Sequence, residues 1–67
     1  MRKIAVSHLI LPGGEVLKNQ VLRFQEGQLI SWSALVEEEA FVIWAGGKYD
    51  MRYTPSENAA MLGIKIE

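Results

Sequence analysis

Apolar and polar positions alternate most clearly in residues 20–32, and this pattern predicts a β-hairpin. Two apolar runs flank a polar turn made of residues 25–27. A two-residue turn on Glu26 and Gly27 would force Glu26 to positive φ, which a residue with a Cβ resists. The sequence therefore favours a type I turn at Gln25 and Glu26, with Gly27 following as a left-handed bulge.

In this register one face of the hairpin is almost entirely apolar. It carries Leu22, Phe24, Ile30, Trp32, Ala34 and Val36. The other face combines Arg23, Ser31 and Ser33 with Val21 and Leu29. One apolar face and one mixed face are typical of an antiparallel sheet that packs on a core from one side.

Residues 2–11 also alternate and predict a first strand. One side of this strand carries Ile4, Val6, His8 and Ile10. Because the opposite side is largely apolar as well, we expect the strand to lie in the interior of the sheet or between two layers. The turn residues 12–14, Pro-Gly-Gly, end it. Residues 15–17 then begin a strand that continues into the hairpin.

Two further strands are predicted after the hairpin. The three glutamates at 37–39 repel one another and stay solvated, so we expect a surface loop there, with contact to a basic partner or a divalent ion as the alternative. Residues 41–45 are β-branched and aromatic and predict a fourth strand, which the glycines 46–47 end. Residues 48–53 alternate apolar or aromatic side chains with charged ones, which predicts a half-exposed fifth strand.

The period changes near the C-terminal end, where residues 54–57 have the form of a capping box. Thr54 stands at the N-cap, a proline follows it, and Glu57 is the third helical residue. The helix should continue for about two turns and end at Gly63. Residues 64–67 alternate again and suit a short final strand.

Together these elements predict one all-β domain over residues 1–67. We expect a small antiparallel β-sandwich or partly open barrel of five to six short strands, with one short C-terminal helix. A chain of 67 residues is near the size at which one core barely offsets chain entropy. Because 49% of the residues are hydrophobic, the composition favours self-association.

Composition and charge exclude several classes of protein. The chain has no cysteine to form disulfides, and its single histidine cannot by itself supply a structural zinc site. The net charge is −1 and the basic residues are dispersed, so we expect no nucleic-acid partner. No signal peptide is recognised and no apolar run approaches bilayer length, so we expect no membrane partner and a cytoplasmic location.

Residues 4–30 contain a strand, a Pro-Gly-Gly turn, a second strand and then Glu-Gly-Gln-Leu-Ile. This order resembles the opening of amidohydrolase-superfamily enzymes, metal-dependent hydrolases that begin with a small β-sandwich segment before a TIM barrel. Residues 46–54 look like the motif of that barrel's first strand, Pro-Gly-x-x-Asp-x-His-x-His, since Gly47 and Asp50 match it. Residues 58–63 are similar to the Asn-Pro-Ala-x-x-Leu-Gly segment where such enzymes leave the barrel.

The resemblance implies a stand-alone version of the small composite β domain, with the barrel absent and the catalysis lost. Arg52 and Thr54 stand where the two metal-ligating histidines of the motif should be, and Gly46 replaces its proline. A guanidinium has no lone pair to offer a metal, and water activation needs several ligands around the ion. Because His8 is the only histidine, we expect no enzyme activity, no bound metal and no cofactor.

The other polar candidates have simple structural interpretations. We expect His8 to be a packed or edge residue of its strand. It cannot work with Ser7 as a catalytic pair, since neighbours in a strand point to opposite faces. Asp50 is the only aspartate, and as a remnant of the resembled family or as a turn acceptor it needs no catalytic role. No polar constellation indicates a small-molecule ligand.

The aromatic residues are the remaining candidates for function. Trp32 and Trp44 either pack in the core or form an exposed patch for association, since Trp and Tyr dominate interface hot spots. If a patch exists, we expect Trp44 and Tyr49 to belong to it.

The leading hypothesis is a non-catalytic binding or assembly module that self-associates, or docks on another protein, through a sheet face or edge. The alternative is an accessory small domain that completes or regulates a separately encoded amidohydrolase-like enzyme.

Overall fold

The computed structural model describes residues 2–36 and 42–65. Its elements are β1 (Arg2–Ile10), β2 (Val16–Gln25), β3 (Gln28–Ala34), β4 (Val42–Trp44), β5 (Lys48–Asp50) and α1 (Pro55–Leu62). The predicted acidic loop at residues 37–39 lies outside the described residues. Within those residues, no helix has both the length and the apolarity that crossing a membrane requires.

All five strands belong to one mixed sheet. Its order is β3-β2-β1-β4, and β5 pairs with the second half of β1. β1 and β3 both pair antiparallel with β2, whereas β4 and β5 run parallel to β1. The β-rich class is confirmed, but the prediction that all strands are antiparallel is wrong. A sandwich or partly open barrel is not confirmed, because this sheet is not closed and β3 and β4 lie at its opposite edges.

β4 and β5 together form one strand with an inserted residue. β4 pairs with β1 at an offset of 39 residues, as in Lys3 opposite Val42, and β5 at an offset of 40, as in His8 opposite Lys48. The insertion falls at residues 46–47, two glycines with φ of 66° and 59°. Two successive N–H groups of β1 donate to the carbonyl of the second glycine, both at 3.1 Å. The predicted turn glycines therefore form a bulge within an edge strand.

The side of the sheet that faces the core changes part-way along the strands. Leu9 belongs to the same buried cluster as Val6, although an odd separation places two residues on opposite faces of a regular strand. β2 changes in the same way, since Leu17 packs against the cluster that contains Leu22. Between these two lies Asn19, whose φ is 52°. The predicted side with Ile4 and Val6 therefore faces the core only in the first half of β1, and Leu9 of the opposite side faces it in the second half.

The hairpin turn differs from the one that the sequence favours. Gln25 lies opposite Gln28, and the two residues between them both have positive φ, 53° at Glu26 and 77° at Gly27. Positive φ at both central positions is the mark of a type I′ turn, whose twist matches that of the strands it joins. The prediction of a type I turn is wrong, because strand twist outweighs the local cost at Glu26.

The irregularity of the hairpin lies in the strands instead. Trp32 is opposite Leu22, but Leu29 rather than Ile30 is opposite Phe24, so the register shifts by one residue. The prediction that Leu22 and Phe24 share the core face is confirmed, since both are buried in one cluster. Ile30 was predicted to join them but is 48% exposed.

Replacing Glu26 by asparagine should stabilise the protein. Left-handed backbone costs most residues with a Cβ about 1–2 kcal/mol, whereas asparagine tolerates it. Asn-Gly is also the most favoured dipeptide of a type I′ turn. We expect urea unfolding to show a free energy of unfolding higher by about 0.5–1 kcal/mol, which is the usual gain when a residue suits its backbone conformation better. Gln25→Asn is the exposed control. A loss of stability in Glu26→Asn would contradict the turn geometry.

The capping box of α1 is confirmed. The Thr54 hydroxyl accepts from the Glu57 N–H at 3.1 Å, and the Glu57 carboxylate accepts from the Thr54 N–H at 3.2 Å. Gly63 ends the helix in the left-handed conformation, with φ of 69°. Residues 64–65 do not form part of a strand, so the described residues contain no final strand of the kind predicted.

The core lies between the sheet and α1, since Ala59 and Leu62 of the helix pack against the buried cluster. Its buried cluster consists of Ile4, Val6, Leu9, Leu22, Phe24 and Tyr49. The Tyr49 ring lies 5.6 Å from that of Phe24, tilted by 55°. β5 ends at Asp50, so the predicted fifth strand is shorter than residues 48–53, and Tyr49 is buried rather than half-exposed.

Candidate functional site

A polar cluster joins the end of β5 to α1, and its centre is the fully buried side chain of Asn58. The Asn58 Oδ1 accepts from the Asp50 N–H at 2.8 Å, and its Nδ2 donates to the Asp50 carbonyl at 2.8 Å. The same Nδ2 lies 3.0 Å from the Thr54 carbonyl and 3.4 Å from that of Tyr53. Asn58 therefore pairs with Asp50 much as a neighbouring strand would, and this pairing anchors the helix.

The Asp50 carboxylate is held by Arg52. Its Oδ1 accepts from the Arg52 backbone N–H and from Nε, both at 2.9 Å, and its Oδ2 accepts from Nη2 at 2.7 Å. Because these hydrogen bonds stabilise the charged carboxylate, the pKa of Asp50 lies below its ordinary value. The same hydrogen bonds raise the pKa of Arg52. Asp50 is thus a turn acceptor, which is one of the two interpretations that the sequence left open.

Acid should weaken this turn. A lowered folded pKa means that the unfolded chain takes up the proton first as the pH falls. The stabilisation is therefore complete above the ordinary pKa of 3.8 and is lost as the pH falls through the folded pKa of Asp50. We expect the stability difference between wild type and Asp50→Asn, measured in urea, to shrink across this acid range. A difference that stays constant at every pH where the protein folds would contradict the role of the carboxylate.

The two side chains at the positions that resemble the histidines of the amidohydrolase motif, Arg52 and Thr54, both make hydrogen bonds that stabilise the fold. Arg52 binds Asp50, and Thr54 caps α1. His8 is half-buried in β1, with Lys18 opposite it on β2 and Lys48 on β5. In the described residues, no group of three or more His, Cys, Asp or Glu side chains is placed to hold a metal ion.

A shallow cleft of about 230 Å³ lies beside the polar cluster. Its walls are Gln28, Leu29, Tyr49, Met51, Tyr53 and Pro55. Tyr49 forms the inner wall, and burial raises the pKa of its hydroxyl. Tyr53 is half-exposed at the rim. The lining is mainly apolar and aromatic.

The structure separates the three predicted aromatic residues. Trp44 is 59% exposed on β4, and Trp32 is 38% exposed on β3, at the opposite edge of the sheet. Tyr49 is only 2% exposed and packs in the core, so it does not share an open patch with Trp44. The three residues therefore do not form one surface.

The outer edge of β4 is one of two edges of the described sheet that carry exposed apolar side chains, the other being β3. Next to Trp44, Ile43 is 40% exposed, and all three residues of the strand are uncharged and apolar. Among the described strands, β4 has a neighbour on one side only, which is β1. Free backbone groups beside exposed apolar side chains make an edge ready to pair with another strand.

Asn58 is the residue that sequence reasoning overlooked. The signal was its place inside a predicted helix, where asparagine is disfavoured because its side chain competes for backbone hydrogen bonds. The identity of its partner could not be predicted, because Asp50 lies eight residues away on another element.

The described residues form a small domain with one mixed β-sheet and one helix that packs on it. No protein-family model matches the chain, and comparisons with curated proteins and with solved structures found no significant similarity. The resemblance to the amidohydrolase composite domain therefore stays a prediction.

Proposed function

We propose that this chain is a non-catalytic assembly module that self-associates through the outer edge of β4. The observation that supports the proposal is the exposure of two large apolar side chains, Ile43 and Trp44, on an edge strand. Proteins that remain monomeric commonly protect such edges with a charged residue, a proline or a covering element. β4, with the sequence Val-Ile-Trp, has no charge or proline.

The size of the chain supports the same proposal. Eight large hydrophobic side chains are exposed among the described residues, including Val36, Ile30 and Met61 as well as those on β4. A core built from so few buried residues leaves the folded state marginally stable. Burial of exposed apolar area against a second copy would add stability by mass action.

The polar groups near α1 support a non-catalytic role. Asp50, Arg52 and Asn58 are bonded to one another or to nearby backbone, and Thr54 and Glu57 cap the helix. Each of these side chains stabilises the fold in its present position. A catalytic acid or base has to reach a substrate, and these hydrogen bonds would have to break first.

The solution mass tests the proposal. We expect light scattering across a concentration series to show the wild-type mass rising from a monomer to a dimer. Trp44→Lys should remain monomeric, because it places a charge on the pairing edge. Ile30→Lys is the matched control on β3 and should associate like the wild type. A wild-type protein that stays monomeric at every concentration, or a Trp44→Lys variant that still associates, contradicts the proposal.

A further inference from the structure

The cleft beside the polar cluster lies where two segments that are far apart in the chain meet. One wall comes from the start of β3, at Gln28 and Leu29, and the other from the segment between the end of β5 and the start of α1. Leu29 and Met51, on opposite walls, both pack against the buried cluster. The ring of Tyr49 contacts Phe24, which pairs with Leu29, so Tyr49 lies between the two walls. The shape of the cleft is therefore set by packed residues.

The hydroxyl of Tyr49 is a polar group that the fold leaves without a partner. It makes no hydrogen bond within the described part of the chain, although only 2% of the residue is exposed. It is not sealed inside the core either, since no fully buried side-chain N or O atom of the described residues lacks a partner. Its small accessible area therefore opens on the cleft that Tyr49 lines.

We propose that this cleft binds a small molecule with one aromatic ring and one hydroxyl group. The ring lies between the two walls, and the hydroxyl forms a hydrogen bond with that of Tyr49. This inference goes beyond the assembly role proposed above and does not depend on it.

The volume of the cleft limits the size of the ligand. An apolar cavity of about 150 Å³ is enough to hold benzene. Sites for drug-sized ligands begin at about 300 Å³. The cleft, at about 230 Å³, lies between these values and has room for one ring with a substituent.

The lining determines the chemistry of the ligand. None of the six side chains that line the cleft carries a charge, so an ionic group would lose its hydration without gaining a counter-ion. An aromatic ring can pack against the ring of Tyr53 at the rim and against the sulfur of Met51. The Tyr49 hydroxyl can both donate and accept, so it suits a ligand hydroxyl, which can do the same. A desolvated hydroxyl gains free energy when it obtains such a partner.

An NMR titration of the backbone amides with phenol tests the site. We expect phenol to bind with a Kd of about 1 mM, an affinity that a ligand of so few atoms can reach. The amide shifts should be largest at Leu29, Met51 and Tyr53, which line the cleft. They should be smallest at Val42 on β4, which does not line it.

Tyr49→Phe tests the hydrogen bond, because it removes the hydroxyl and keeps the ring that packs on Phe24. We expect the Kd for phenol to rise about fivefold, the usual effect of losing one neutral hydrogen bond. Toluene, which has the same shape but no hydroxyl, is the matched control ligand, and its Kd should stay within about twofold. Tyr53→Ala removes a half-exposed ring from the rim and should weaken the binding of both ligands.

Three results would overturn the proposal. The first is the absence of saturable shifts at the residues that line the cleft, and the second is a set of shifts spread evenly over the whole sheet. The third is a Tyr49→Phe variant that keeps the wild-type circular dichroism spectrum and binds phenol as tightly as the wild type. None of these results bears on self-association, which light scattering measures separately.

Discussion

Replacing Asn58 by alanine should lower the free energy of unfolding by about 3 kcal/mol, since several buried backbone groups would lose their partner. The Asp50 N–H and carbonyl, both bonded to Asn58 at 2.8 Å, would face an apolar methyl group and lose these partners. The attachment of α1 to β5 would weaken, because Asn58 is its polar link. For a domain of this size such a loss corresponds to a fall in Tm of roughly 15 °C.

Thermal unfolding followed by circular dichroism measures this effect. Ser56→Ala is the matched control, because Ser56 is exposed in the first turn of the same helix, and we expect its Tm to stay close to that of the wild type. Asn58→Asp separates the two halves of the contact, since it keeps the acceptor for the Asp50 N–H but removes the Nδ2 donor. If Asn58→Ala melts within a few degrees of the wild type, the cluster does not hold the helix.

Replacing Gly47 by alanine should lower the free energy of unfolding by about 2 kcal/mol, the second largest effect that we expect. The first contribution is the cost of left-handed backbone for a residue with a Cβ. Gly47 has a φ of 59°. A Cβ there would also lie 3.0 Å from the Leu62 Cδ2, so the leucine on α1 would have to move. The substitution therefore disturbs both the bulge that joins β4 to β5 and the contact between this bulge and the helix.

Gly63→Ala distinguishes the two contributions. Gly63 has a similar φ of 69°, but a Cβ there would meet no atom within 4 Å, so only backbone strain remains. We expect urea unfolding to show about half the loss for Gly63→Ala, close to the roughly 1 kcal/mol typical of an alanine forced into the left-handed region. Equal losses in the two variants would mean that Leu62 adjusts without cost. No loss in Gly47→Ala would contradict the described bulge.

Local patterns in the chain were enough to predict the helix and most of the strands. The capping box from Thr54 to Glu57 and the left-handed Gly63 follow from chemistry within ten residues. The same is true of the two hairpin strands and of their buried face at Leu22 and Phe24. The Asp50 turn was also predictable, because an aspartate acceptor bonds the backbone two residues on.

The candidate site was predictable only in part. Composition and the aromatic strand pattern singled out Trp44, which is exposed, but they also singled out Tyr49, which is buried. Both tyrosine and tryptophan occur in cores and at interfaces, so residue type alone cannot place them. What separates the two is their packing, since β4 and β5 lie on the same edge of the sheet but only Tyr49 belongs to the buried cluster.

Residue chemistry over short distances therefore determined where strands, turns and the helix occur, because propensity, capping and glycine conformation act locally. Pairing between distant segments decided the rest. The parallel placement of β4 and β5 and the change of core face near Asn19 depend on neighbours far away in the chain, and the type I′ turn at Glu26 depends on the twist of the two strands that it joins. Sheet twist and the burial of one shared core outweigh local preferences at these positions. One residue in an unfavourable conformation allows many favourable contacts to form elsewhere in the sheet.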